Sequence, residues 1–170
     1  DLIDLDHPNY QFVAARLLLF SIRKSLYGRS RELPKLEDHI VKCVTQEVYD
    51  GDIYSKYSKE DIEKANGYID HNRDFLFTYA GLRQVADKYL VQDRSSGQVY
   101  ETPQFMYMMI ALTIFAEYPK ETRLNYVRRY YDAISRHRIN IPTPIMAGVR
   151  TPIRQFASCV LVDSDDTLDS

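Results

Sequence analysis

The sequence predicts a mainly α-helical domain whose last segment turns into a β-strand. Over most of residues 1–138, apolar residues recur at helical spacing, and capping or helix-stopping residues separate the runs. The periodicity changes only twice, in a short segment near 89–101 and again beyond residue 138. With 170 residues, 45% of them hydrophobic, the chain has the length of one domain and can bury a core.

Four helices are predicted in the first half of the chain. The first begins near Pro8 with Asp6 as its cap, and Gly28 stops it. Ser58, followed by Lys59, Glu60 and Asp61, resembles a capping box that opens the third helix. The expected spans of the four helices are 8–28, 36–49, 58–68 and 73–88.

A β-hairpin and two more helices are predicted next. Residues 89–91 and 98–100 flank a polar turn that contains Gly97, a pattern typical of a hairpin. An apolar helix over 104–117 and a helix from Pro119 through Ile134 follow. Beyond Arg138 the apolar runs are short and interrupted by proline, and 156–162 has the character of a buried strand.

Composition excludes several classes of protein. A net charge of -2 gives no electrostatic reason to expect a nucleic-acid or membrane partner. Neither a signal peptide nor a membrane span is recognisable. The two cysteines form neither a disulfide framework nor a metal-binding spacing, which favours a reducing, cytoplasmic compartment.

Most chemically interesting residues have an ordinary structural interpretation. The four histidines are expected to face solvent or to make a single hydrogen bond. Residues 126–131 mix tyrosine with arginine, which suits stacking on single-stranded nucleic acid, but an amphipathic helix is favoured. The aspartates at 163–169 lack the glycine and final glutamate of a calcium-binding EF-hand loop, so an exposed acidic loop is expected.

The two cysteines differ in their surroundings. Cys43 lies on a helix among valines and is expected to be buried and inert. Cys159 follows Ser158 in the predicted strand, with Arg150 and Arg154 upstream, and nearby cations can lower the pKa of a thiol and favour the reactive thiolate. Spacing alone favours a structural cysteine over a redox-active or nucleophilic one.

The segments PTPIMAGVRTP at 142–152 and RQFASCVL at 154–161 resemble the large subunit of class I ribonucleotide reductase, of the bacterial and phage type. The resemblance extends over nearly the whole chain through IDHNRD at 69–74, KYLVQ at 88–92, PKETRL at 119–124 and YYDAIS at 130–135. It implies that residues 1–138 form a helical region with a hairpin near 89–101. Residues 139–170 would then begin the ten-stranded α/β barrel, with its first strand at 156–162.

The resemblance also implies functional roles around the substrate. Cys159 matches the strand cysteine that reduces the ribose and becomes half of a disulfide in each turnover. Thr143 and Ser158 match positions that hold the ribonucleoside diphosphate. Ala157 stands where the family often has a second serine, which removes one polar contact.

Effector binding is implied at two further places. Asp166, Thr167 and Leu168 match an Asp-Ser-Leu step that contacts the specificity effector, a deoxynucleoside triphosphate or ATP. Thr167 replaces the serine and keeps its hydroxyl. Lys24 matches the position of a helix lysine that contacts the overall-activity effector.

The resemblance assigns no metal and no cofactor to this chain, because the metal-radical cofactor belongs to the small subunit. Thioredoxin or glutaredoxin is the implied external dithiol reductant, and the implied partners are the small subunit and the rest of the large subunit. Since the chain begins with Asp1 and lacks the other active-site cysteines, it is expected to be inactive alone. A natural split product, a proteolytic fragment and an engineered fragment stay open, as does a non-catalytic helical binding or regulatory module of reductase ancestry.

Overall fold

The computed structural model describes residues 7–30, 32–153, 156–157 and 159. Over these residues the chain is helical, with one 3-10 helix, η1, and no β-strand. The elements in chain order are α1 (Tyr10–Tyr27), α2 (Leu36–Thr45), α3 (Ile53–Lys56), α4 (Lys59–Asn66), η1 (His71–Leu76), α5 (Tyr79–Lys88), α6 (Pro103–Ile114), α7 (Lys120–Ser135) and α8 (Thr143–Gly148).

Helix α6 is the centre of the core. Its residues from Pro103 to Leu112 are all buried, as expected for a helix that is apolar on every side. Helices α7 and α8 and the 3-10 helix pack against it, while α1 packs on α5 and α2 packs on α4. The central helix therefore sets the positions of the elements around it.

The structure confirms one helix start and one helix end that the sequence predicts. The Ser58 hydroxyl accepts from the backbone N–H of Asp61 at 3.2 Å, and the Asp61 carboxylate accepts from the Ser58 N–H, which confirms the capping box. Gly28 ends α1 with a positive φ of 66°, and its N–H donates to the Lys24 carbonyl. The expected cap Asp6 lies outside the described residues.

The single helix predicted over 73–88 is wrong. A 3-10 turn comes first, Phe77 is then extended at ψ 137°, and α5 begins after Thr78. The Thr78 hydroxyl accepts from the Gly81 N–H at 3.2 Å and so caps the new helix. A local capping residue therefore divides an apolar pattern that is continuous in the sequence.

Helix α2 ends at Thr45 rather than near Tyr49. The N–H groups of Val48 and Tyr49 both donate to the Cys43 carbonyl, which closes the helix, and Glu47 adopts a positive φ of 57°. The short helices α3 and α8 were not predicted. In α8 a proline stands in the first turn, where its missing N–H costs no hydrogen bond.

The predicted hairpin is reduced to a turn with one isolated antiparallel bridge, between Gln92 and Val99. Gly97 supplies the positive φ that the turn needs, and the Asp93 carboxylate accepts from Ser95 and Ser96. The pairing stops because the Val91 N–H donates to the Glu101 side chain at 2.7 Å.

The strand predicted over 156–162 lies mostly outside the described residues. Phe156, Ala157 and Cys159 are described, and they have no regular secondary structure. No helix in the described part of the chain is long and apolar enough to cross a membrane.

Candidate functional site

Arg150 fixes residues 143–150, the anchored segment, to the helical body, and this segment carries the candidate substrate residue Thr143. Its guanidinium group is fully buried and pairs with the Glu101 carboxylate, which its Nε contacts at 2.9 and 3.1 Å. It also donates to the carbonyls of Met146 and Tyr89. The Arg150 carbonyl in turn accepts from the Asp50 N–H at 3.0 Å.

Burial and charge act in opposite directions on Arg150. Burial alone lowers the pKa of a guanidinium group, but the adjacent Glu101 carboxylate raises the pKa of Arg150 by more. The Glu101 carboxylate accepts from the Val91 N–H and the Tyr49 hydroxyl as well as from Arg150. The two buried charges are therefore paired and amply hydrogen-bonded, as a buried ion pair requires.

The polar contacts continue from Glu101 into the core. The Tyr49 hydroxyl lies 3.0 Å from His39 Nε2, and the His39 ring stacks on Phe105 with centroids 4.1 Å apart. Burial lowers the pKa of His39 to about 4 and raises the pKa of Cys43 to about 12. Cys43 is therefore a buried, protonated thiol, which confirms the prediction that it is buried, while its lack of reactivity stays a prediction.

Thr143 and Cys159, two residues to which the resemblance assigned substrate roles, are exposed. Thr143 is the first residue of α8, and its hydroxyl lies 3.3 Å from the Tyr89 hydroxyl. Tyr89 thus contacts Thr143 with its side chain and Arg150 with its carbonyl. Through Tyr89 the structure connects Thr143 to Arg150. The substrate roles of Thr143 and Cys159 stay predictions.

Several other predicted site residues lie outside the described residues. They are Ser158, Arg154, Asp166, Thr167 and Leu168. The sequence analysis considered Arg150 as a cation that lowers the pKa of the Cys159 thiol. In the structure the Arg150 donors bond instead to Glu101 and to two carbonyl groups.

Lys24 lies on α1 beside an open groove of about 870 Å³. Arg23, Arg29 and His71 share this lining, and no residue of the Thr143–Arg150 segment belongs to it. The structure therefore does not bring Lys24 together with the anchored segment.

The Tyr-Arg stretch at 126–131 lies in α7. Val127 and Tyr131 point into the core while Arg128 and Arg129 are exposed, which confirms an amphipathic helix. His39 makes a hydrogen bond as expected, whereas the buried Nδ1 of His71 has no partner among the described residues. The described residues contain no group of three or more side chains suited to hold a metal ion.

The sequence alone does not indicate Glu101 or Tyr89 as part of the candidate site. Glu101 is separated from Arg150 by 49 residues, and Tyr89 from Thr143 by 54. The only available signal was a charged residue directly before the Thr102-Pro103 helix start. A glutamate that becomes fully buried there is expected to have a partner.

Comparisons with known proteins agree with this picture. The family model described as "Ribonucleotide reductase, all-alpha domain" matches residues 75–154. The chain is 52% identical over 170 residues to the ribonucleoside-diphosphate reductase subunit alpha of Haemophilus influenzae. It is 51% identical over 170 residues to the reductase 1 subunit alpha of Escherichia coli, and 48% identical over 168 residues to the subunit alpha of Enterobacteria phage T4.

These alignments cover between 99% and 100% of this chain but only 22% of each relative. The chain thus spans about a fifth of the length of the proteins that it matches. The whole chain is therefore similar in sequence to ribonucleoside-diphosphate reductase alpha subunits, and residues 75–154 match the all-alpha domain of ribonucleotide reductase.

Proposed function

We propose that this chain forms part of the large subunit of a ribonucleoside-diphosphate reductase and has no reductase activity alone. The observation that carries the proposal is the roughly 50% identity, along the entire chain, to alpha subunits of that enzyme. The anchored Thr143–Arg150 segment supports it, because a substrate-binding segment has to be held firmly.

The reaction defines what the residues have to supply. Converting a ribonucleoside diphosphate into a deoxyribonucleoside diphosphate replaces one ribose hydroxyl by hydrogen, which consumes two electrons and two protons and releases water. Two thiols that become a disulfide supply both electrons and both protons. Cys159 is proposed as one of them, and the partner thiol and the thiyl-forming cysteine belong to the rest of the large subunit.

Two hydroxyl side chains are proposed to bind the substrate. Thr143 and Ser158 are proposed to donate to the diphosphate of the substrate, since hydroxyls are short, directional donors. The exposure of Thr143 and its contact with Tyr89 support this role, because the hydroxyl is both accessible and held in place.

The finer features of the family complete the proposal. Residues 139–170 would begin the catalytic barrel, and Asp166, Thr167 and Leu168 would contact a deoxynucleoside triphosphate or ATP. Lys24 would contact the overall-activity effector. The enzyme would act in the cytoplasm with a small subunit that holds the metal-radical cofactor and with thioredoxin or glutaredoxin as reductant.

The test uses the full-length large subunit mixed with its small subunit and an external dithiol. We expect Cys159→Ser to abolish formation of deoxyribonucleoside diphosphate. Cys43→Ala is the matched control, because it removes the other thiol of this sequence, which is buried and protonated. It should leave activity within about twofold of the wild type.

Full activity of the Cys159→Ser enzyme would refute the redox assignment. If the wild-type enzyme does not reduce ribonucleoside diphosphates at all, the proposed function fails. The alternative, a non-catalytic binding or regulatory module of reductase ancestry, would then be favoured.

A further inference from the structure

We propose that Arg150, held by Glu101, is a positioning residue for the reductase reaction. It fixes helix α8, which begins at Thr143. This inference rests on the proposed function. It adds Arg150 and Glu101, which are proposed to act by positioning and not by touching the substrate or the reacting atoms.

The segment has little else to hold it. Helix α8 has six residues and none of them is fully buried. Within residues 141–153, all of which the structure describes, Arg150 is the one fully buried residue. Ile145, Met146 and Val149 are only partly buried against the core. A short helix with so little apolar burial depends on its polar anchor for a defined position.

Arg150 connects α8 to the helical body through both its side chain and its backbone. Arg150 donates to the Met146 carbonyl within α8 and to the Tyr89 carbonyl in the helical body. The Arg150 carbonyl accepts from Asp50, which adds a second tether to the body at the same residue. One guanidinium group therefore joins the helix, the body and the buried carboxylate.

Tyr89 connects this anchor to the candidate substrate contact. Its carbonyl accepts from Arg150 at 2.8 Å, and its hydroxyl lies 3.3 Å from the Thr143 hydroxyl. Loss of the guanidinium fork would free the Met146 and Tyr89 carbonyls, and the hydrogen bond from the Asp50 N–H would be left to hold the C-terminal end of α8. Thr143, at the other end of α8, would then lose its defined position.

The expected consequence is kinetic. Misplacing a group by about 1 Å can cost about a hundredfold in rate. Arg150→Lys keeps the positive charge beside Glu101, but the lysine ammonium cannot reproduce the planar fork that reaches Glu101, Met146 and Tyr89 together. We therefore expect kcat to fall by about tenfold or more, with a smaller change in KM.

Arg123→Lys provides the matched control. Arg123 is also a buried arginine, its Nη2 lies 2.7 Å from Asp61, and its guanidinium stacks over Tyr57. It joins α4 to α7, elements that carry no candidate site residue. Both variants are made in the full-length large subunit, and each is assayed with the small subunit for kcat and KM and for its thermal unfolding temperature.

The proposal predicts that Arg123→Lys lowers the unfolding temperature but keeps kcat within about twofold, while Arg150→Lys loses about tenfold. It is overturned if the folded Arg150→Lys enzyme keeps wild-type kcat, or if Arg123→Lys loses as much. An inactive wild type refutes the proposed function instead, so the two failures are distinguishable.

A second variant covers the case in which Arg150→Lys does not fold. Replacing both charges, in Glu101→Met with Arg150→Met, leaves no buried charge unpaired, and such replacements are often neutral or stabilising. This folded enzyme should show the same loss of kcat, and wild-type kcat in it would overturn the proposal.

A double-mutant cycle distinguishes positioning from a general structural effect. If Arg150 acts through Thr143, the loss caused by Arg150→Lys should shrink at least about threefold in a Thr143→Ala background. Losses that simply multiply would contradict action through Thr143.

Discussion

Two fully buried carboxylates lie next to the central helix, and each has an arginine partner. Glu101 pairs with Arg150, and both side chains have 0% exposure. Asp74 pairs with Arg23 at 2.9 Å, but the Arg23 side chain is 24% exposed. The Glu101 pair is enclosed on both sides, while the Asp74 pair is open to water on one side.

The two carboxylates also hold different parts of the molecule. Asp74 accepts from Gln104 on α6 and from Arg23 on α1, so it joins elements of the helical body. Glu101 holds Arg150, and through it the segment that carries Thr143. Burial raises the pKa of Asp74, and hydrogen bonds from Gln104 and Arg23 oppose that rise. We infer that the Asp74 cluster serves the fold and the Glu101 cluster serves the candidate site.

The largest effect on stability is expected for Glu101→Gln. The substitution keeps the size of the side chain but leaves the Arg150 charge buried and uncompensated. We expect a loss of about 3–5 kcal/mol in the free energy of unfolding of the chain, measured by urea denaturation. Glu117→Gln is the control, because the Lys56–Glu117 pair is exposed, and it should change little. A small effect of Glu101→Gln would mean that the pair is not enclosed.

The pH dependence of stability should involve both clusters, through His39 beside Tyr49 and His71 beside Arg23. Burial lowers the pKa of each of these histidines from 6.5 to about 4. The unfolded chain therefore binds more protons between these values, so stability is present above pH 6.5 and is lost as the pH falls toward 4. For His39 the loss is about 3 kcal/mol.

Histidine variants measure how much each of these two groups contributes to the pH dependence. His39→Gln and His71→Gln should each reduce the change in unfolding free energy between pH 7 and pH 4.5. The measurement is urea unfolding at both pH values. An unchanged slope in the His39→Gln protein would show that His39 is already protonated in the fold, or that it is accessible to water.

The smallest effect is expected for Asp74→Asn. The amide keeps the shape and can still hydrogen-bond to Gln104, and the exposed side of Arg23 can be hydrated. We expect a loss of about 1–3 kcal/mol in the free energy of unfolding, below that of Glu101→Gln. Reductase kcat of the full-length enzyme should stay within about twofold. A loss of kcat equal to that of Arg150→Lys would remove the distinction between the two clusters.

The sequence predicted those features that are encoded locally. The capping box at Ser58, the glycine stop at Gly28 and the apolar run of α6 each lie within one element, and each was predicted close to its place. The helix over 73–88 failed because the Thr78 cap lies within an apolar periodic run, where periodicity outweighs a single residue.

The site depends on contacts between distant parts of the chain. Glu101 and Arg150 meet across 49 residues, and no local pattern indicates that a buried carboxylate and a buried arginine will find each other. The candidate substrate residues followed from the resemblance, not from periodicity. The hairpin was overestimated for a related reason, because the Val91 N–H bonds to the Glu101 side chain instead of to a partner strand.

The most direct test of the central claim follows the thiols through one turnover. The full-length large subunit is reduced, freed of external dithiol, mixed with small subunit and a ribonucleoside diphosphate, and then alkylated and mapped by mass spectrometry. We predict that Cys159 is recovered in a disulfide in proportion to the deoxyribonucleotide formed, while Cys43 stays a thiol. Product formed at that stoichiometry with Cys159 still fully alkylated would contradict the account.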